Sequence, residues 1–254
     1  MPTARAQKLA RPDTSFGPFR HVEAVAWLMV ALACRVAGMN ETPWWLLALC
    51  GDSIAVLMAF MAVARRVFEI FEHPSPIDGL TFDRELRLAL RIFGRMTALM
   101  LAATLLLGIF VDRSVASIFL LGLDGMVFDE FFMLGKISSA CCAALVLLFI
   151  LGVDRNSGKP SFASMLRGAI RHGARFGTAV AVLVIFYMAL GFIQRLMFNE
   201  IPGFWLVAAA EQHTKNLIFF IFTLGFAVTR LWATLLILTC GLKPSGTRAR
   251  VPFR

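Results

Sequence analysis

Six stretches of roughly twenty mostly apolar residues follow one another along this chain, at 22–39, 44–63, 96–111, 137–153, 176–193 and 217–242, with charge between them. A bilayer core of about 30 Å is crossed by about 20 such residues in a helix. Lipid offers no water to backbone amides, so a helix is the form that satisfies them. Composition agrees: 59% of residues are hydrophobic and 16% charged, against about 45–50% and about 25% in soluble domains. That excess excludes a soluble globular fold, whose core cannot hide so much apolar surface, and it excludes disorder. Five scattered cysteines are too sparse, and odd in number, for a disulfide scaffold. The expected fold is an all-α polytopic membrane protein, one domain over 1–254, with six transmembrane helices arranged as three hairpins.

Basic residues near span ends remain cytoplasmic. The tail to Arg20, the segments 65–95 and 155–175, and the tail from Lys243 together hold nineteen of the 25 Lys and Arg. The other side holds five (Arg35, Arg113, Lys136, Arg195 and Lys215), and Arg230 lies within a span. Six spans with both termini cytoplasmic preserve this alternation, which adding or deleting one span would scramble. The first apolar run contains Arg35 and lacks a clear small-x-small cleavage site, so it reads as a retained span rather than a signal peptide. Pro2, Pro12 and Pro18 break the amphipathic helix that a mitochondrial presequence requires. The expected location is a bacterial inner membrane. The net charge of +9 follows from the same topology and from anionic cytoplasmic lipid, and does not call for nucleic acid.

An offset of 80 residues brings Phe82, Leu86, Arg87, Ala89, Arg91 and Arg95 onto Phe162, Leu166, Arg167, Ala169, Arg171 and Arg175. This suggests a parallel internal repeat of 81–152 and 161–232, each unit a basic helix, a span, an outer loop and a returning span. Arg87, Arg91 and Arg95, and likewise Arg167, Arg171 and Arg175, step by four and form a stripe on one helix face. Like charges at that spacing repel, so an anionic surface is needed opposite. Phospholipid headgroups supply one, at roughly 1 kcal/mol per basic residue. Ordinary positive-inside topology explains the same stripes without a ligand.

A charge inside a span costs about 2.5–3.5 kcal/mol on insertion scales and is expected to face a partner in the protein interior. Arg35, Asp52 and Arg230 are the three intramembrane candidates. Counting about 1.5 Å per residue from the outer boundary, Arg35 lies about 7 Å deep, Asp52 about 12 Å and Arg230 about 20 Å. Arg35 and Arg230 therefore compete for Asp52, and Arg35 has the alternative of snorkelling outward. The trio reads either as a structural ion pair or as a substrate or proton pathway.

Asp112, Asp124, Asp129 and Glu130 in one outer loop, and Glu200, Glu211 and His213 in the next, have no diagnostic metal spacing and read as a solvated acidic face. The pieces Ser117 to Leu123, Met126 to Leu134 and Ile201 to Ala210 read as short interfacial helices, anchored by Phe131, Phe132, Phe204 and Trp205. A shallow re-entrant turn is the alternative at Gly122 or Pro202. Cys34 and Cys50 share a depth, but free thiols are favoured.

GxxxxGK[ST], HExxH, GxSxG and CxxC are absent. No cofactor or metal is implied, and an enzyme is not expected. The leading expectation is a non-catalytic organising or accessory subunit that binds a partner protein, a second copy or anionic phospholipid through its arginine stripes. The rival is a small permease with a polar path around Asp52 and Arg230.

Overall fold

The computed structural model describes residues 20–39, 43–71, 76–110, 123–128, 133–153, 162–207 and 212–242. Of the described residues 92% are helical and none forms a strand. The helices are α1 (Arg20–Met39), α2 (Trp45–Ile70), α3 (Phe82–Phe110), α4 (Met133–Leu151), α5 (Phe162–Val207) and α6 (Gln212–Leu242), with a 3-10 turn at Asp124–Met126 between α3 and α4. Each of the six apolar stretches falls largely or wholly within its own helix, apart from residues outside the described set. Five helices, α2 to α6, contain stretches long and apolar enough to cross a membrane.

Polarity is distributed inside out relative to a water-soluble protein. Leu101, Leu105, Ile185, Phe192, Leu217 and Ile221 point outward, while Asp52, Glu85, Asp124, Lys136 and Arg230 are buried. Lipid accepts the first set at no cost, and of the second Asp124 and Glu85 are paired with arginines. Five hydroxyls within the helices are satisfied by their own backbone: Thr104, Ser139, Thr223, Thr229 and Thr234 each donate to the carbonyl four residues earlier, at 2.6–2.9 Å.

Helices α2 and α4 form the centre. Asp52 and Ser53, then Ala55 to Ala64 on α2, and Cys142 to Ala144 and Val146 to Ile150 on α4, are buried. The most extensive packing joins α1 to α2, and small residues let their backbones approach. A Cβ on Gly51 would lie 3.2 Å from Cys34 Sγ, and one on Gly38 would lie 3.6 Å from Ala48 Cβ. All five cysteines are free thiols. Trp44 and Trp45 stand exposed at the tip of this hairpin, as interfacial tryptophans do.

The arginine-bearing lead-ins are the first turns of the spanning helices themselves. Helix α5 runs unbroken for 46 residues, about 69 Å, which exceeds the 40–45 Å or so of a whole bilayer. Ile201 to Val207 therefore continue α5 rather than forming a separate interfacial helix, and the chain makes no turn at Pro202. A polar pair such as Gln194–Arg195 does not end a helix, because the hydrogen-bond ladder does not depend on side-chain polarity. Phe82 and Phe162 begin α3 and α5 at the 80-residue offset, yet α3 has 29 residues against 46 in α5. Before α3, Gly79 adopts φ +76°, a left-handed conformation that glycine accepts without strain, and this lets Ile77 bury beneath the turn.

Candidate functional site

Three polar clusters lie within the bundle. In the first, Arg35 Nη1 of α1 donates to Asp124 Oδ2 at 3.4 Å. The guanidinium carbon sits 4.7 Å from the centre of the Phe128 ring, within cation–π reach. Asp52 of α2 is buried as well, 1% exposed against 4% for Asp124, and neither of its carboxyl oxygens has a hydrogen-bond partner among the described residues. Burial pushes the Asp124 carboxyl above its ordinary range, with Arg35 pulling the other way.

Asp124 is thus an interior residue and not part of a solvated acidic face. The chain around it is apolar, and Leu123, Met126, Val127 and Phe128 are all buried with it. The 3-10 turn packs against α2, α4 and α6, so residues 126–128 of the expected interfacial piece are enclosed by protein. The rest of the expected interfacial pieces before α4, including Phe131 and Phe132, falls outside the described residues. So do Asp112, Asp129, Glu130 and Glu211, and so do the side chains of Glu200, Phe204 and Trp205.

The second cluster lies deeper. Thr234 gives its hydroxyl proton to the Arg230 carbonyl at 2.6 Å, so Tyr187 is the donor in the 2.8 Å bond between the Tyr187 and Thr234 oxygens. Arg230 lies flat against Tyr187, its guanidinium carbon 3.8 Å from the ring centre. Of the two arginines weighed for Asp52, Arg35 contacts Asp124 and Arg230 sits over an aromatic ring. Both remain inside the bundle, Arg35 with 26% of its side chain exposed. The Met126 carbonyl lies 3.5 Å from the Tyr187 hydroxyl, so the 3-10 turn touches both clusters.

The third cluster sits at the basic end. Arg65 of α2 donates to both oxygens of Glu85 in α3, at 2.6 and 3.2 Å, and to Glu23 of α1 at 3.3 Å. Planar guanidinium geometry suits this two-pronged grip. Sequence reading missed this hub and also Tyr187, Thr234 and the burial of Asp124. A signal for the hub was present: Glu23 and Arg35 are twelve residues apart on α1, Asp52 and Arg65 thirteen apart on α2. One antiparallel register therefore sets an acid level with a base at both ends.

The arginine stripes divide between surface and interior. Arg87 is exposed and ion-paired to Asp83 one turn away, whereas Arg95 is half-buried over the Phe162 ring, 5.3 Å from its centre. Arg91, Arg167 and Arg175 are exposed, and the Arg171 side chain falls outside the described set. Phe162 also packs edge-on against Phe149 at 5.1 Å, and Phe82 stacks on Trp27 at 6.3 Å, so the two lead-ins are anchored by equivalent phenylalanines on different neighbours.

No protein family matches this chain, and neither does any curated protein or solved structure.

Proposed function

We propose that this membrane protein is a non-catalytic, six-span organiser of a bacterial inner membrane, with both termini in the cytoplasm, that gathers anionic phospholipid through its basic end. The observation that carries this reading is the exposure of Arg87, Arg91, Arg167 and Arg175 on the first turns of α3 and α5. These helices run without a break into the spans, so the arginines are held at headgroup level by the bundle itself. The sixth span is α1, whose 20 residues reach about 30 Å and pack along α2. The shared onset at Phe82 and Phe162 supports descent from a repeated unit. A protein partner or a second copy would use the same basic face.

The test is native mass spectrometry of protein extracted in mild detergent. Co-purified anionic lipid is expected, and it should be lost when Arg87, Arg91, Arg167 and Arg175 are changed together to Gln. Equal retention of zwitterionic and anionic lipid would refute the reading. Reporter fusions near 79 and 158 should lie in the compartment opposite to fusions near 116 and 209.

A second reading, a small permease, is favoured by one observation: the Arg35–Asp124 contact and the Arg230 cluster meet through the 3-10 turn. In that case Asp52→Asn abolishes solute movement while lipid binding persists.

A further inference from the structure

Helices α3 and α5 both pack on α4 but, among the described residues, not on each other. Helix α6 and the 3-10 turn take other faces of α4. One stripe of α4 is left uncovered: Leu134 and Cys141 are exposed, and Ile137 and Leu145 are half-buried. Residues three and four apart share a helix face, so the stripe is continuous and looks outward between α3 and α5. From Leu134 to Leu145 it rises about 16 Å. That is the depth of one leaflet, half of a hydrocarbon core of about 30 Å.

The inner end of the stripe is closed. A Cβ on Gly168 of α5 would lie 3.7 Å from Leu148 Cδ2, Phe162 of α5 packs edge-on against Phe149, and Arg95 of α3 stands over the same Phe162 ring. Phe149 belongs to the last turn of α4, whose 19 residues rise about 28 Å, so this apex stands at headgroup level. Phe162 is exposed, which leaves the apex open to the surface. The Arg95 Nη1 is buried without a hydrogen-bond partner among the described residues. The aromatic ring offsets part of the charge but gives that nitrogen no oxygen acceptor. A cationic donor with spare capacity thus heads an apolar stripe one leaflet long.

We propose that this stripe seats a single anionic phospholipid, with its phosphate on Arg95 and one acyl chain along Leu145, Cys141, Ile137 and Leu134. The inference deepens the lipid reading and rests on it, adding a discrete site to the exposed arginines that draw lipid in. Arg91, one turn nearer the cytoplasm, is also exposed. A zwitterionic headgroup would bring an ammonium beside these two cations, whereas a glycerol headgroup brings none. A second copy is the poorer occupant, because a two-fold axis along the membrane normal would set Arg95 level with its own counterpart.

The experiment places the full chain in phosphatidylcholine nanodiscs containing a minor fraction of phosphatidylglycerol and releases it for native mass spectrometry. One phosphatidylglycerol per chain is expected to stay bound. Arg95→Gln should lower its occupancy at least about fivefold, and so should Cys141→Trp, which fills the stripe without altering a charge. A second measurement needs no variant: alkylation of Cys141 by a lipid-soluble maleimide, mapped by peptide mass, should slow when phosphatidylglycerol is added and not when inorganic phosphate is added. Equal slowing by inorganic phosphate would assign the seat to a free anion and overturn the proposal. Oxidative cross-linking of Cys141 to Cys141 of a second copy would overturn it too. An adduct indifferent to both substitutions, yet lost when Arg87, Arg91, Arg167 and Arg175 are changed, would overturn this site and leave the general lipid reading standing. Absence of any anionic preference would overturn both.

Discussion

Arg35 and Asp124 stand 89 positions apart in the chain, yet the Nη1 of one lies 3.4 Å from the Oδ2 of the other. The contact ties the 3-10 turn before α4 to the first hairpin. Arg35→Gln removes the guanidinium that contacts the buried Asp124 carboxyl, and breaking such a pair costs about 3–5 kcal/mol. The double variant Arg35→Gln, Asp124→Asn leaves no such deficit and is expected to recover more than half of the loss. A double-mutant cycle read by thermal unfolding in detergent checks this.

Stability should also depend on pH. Burial raises Asp124 above its ordinary value of 3.8 in the folded chain, so the folded state retains a proton that the unfolded state releases. This contribution is complete below the ordinary value and is lost as pH rises through the folded one, so stability falls with increasing pH across that window. The melting temperature in detergent is expected to decline from mildly acidic to alkaline solution. Asp124→Asn should flatten the decline.

At the basic end, Arg65→Ala leaves Glu85, with 5% of its side chain exposed, buried without its guanidinium. A loss of about 3 kcal/mol is expected. Arg65→Lys should restore only part of it, because an ammonium cannot hold both oxygens of Glu85 in the two-pronged geometry. Denaturant titration of the three proteins gives the order wild type, Lys, Ala.

Gly241 marks the crossing of α5 and α6. A Cβ there would fall 2.5 Å from Ala179 Cβ and 3.4 Å from the Arg175 carbonyl. Both neighbours are fixed to backbone, so Gly241→Ala must separate the helices and is expected to cost about 1–3 kcal/mol, as overpacking does. Gly225→Ala is the control, since nothing lies within 4 Å of its added Cβ, and it should gain up to about 1 kcal/mol in helix propensity.

Apolar period and charge made the helices legible. Every expected span lies mainly or wholly within a helix, and five of those helices are long and apolar enough to cross a membrane. Arg35 and Asp52 are legible as interior groups because they interrupt apolar runs. The partner of Arg35 is not, since Asp124 sits in a segment whose length and acidity resemble a solvated loop, and only its burial against α2, α4 and α6 reveals its role. The stacking of Arg230 on Tyr187 was equally hidden: depth along a helix says which residues share a level, but not which face each one turns toward its neighbours. Glu23 and Arg65 lay closer to the surface, and no insertion cost drew attention to them.

The contacts of α1 bear on how its alignment is held. Glu23 takes the Arg65 guanidinium of α2 at 3.3 Å, and twelve residues further along Arg35 takes Asp124 at 3.4 Å. Sliding α1 along its neighbours by a single helical turn would break both grips together, so two separate charges lock one register.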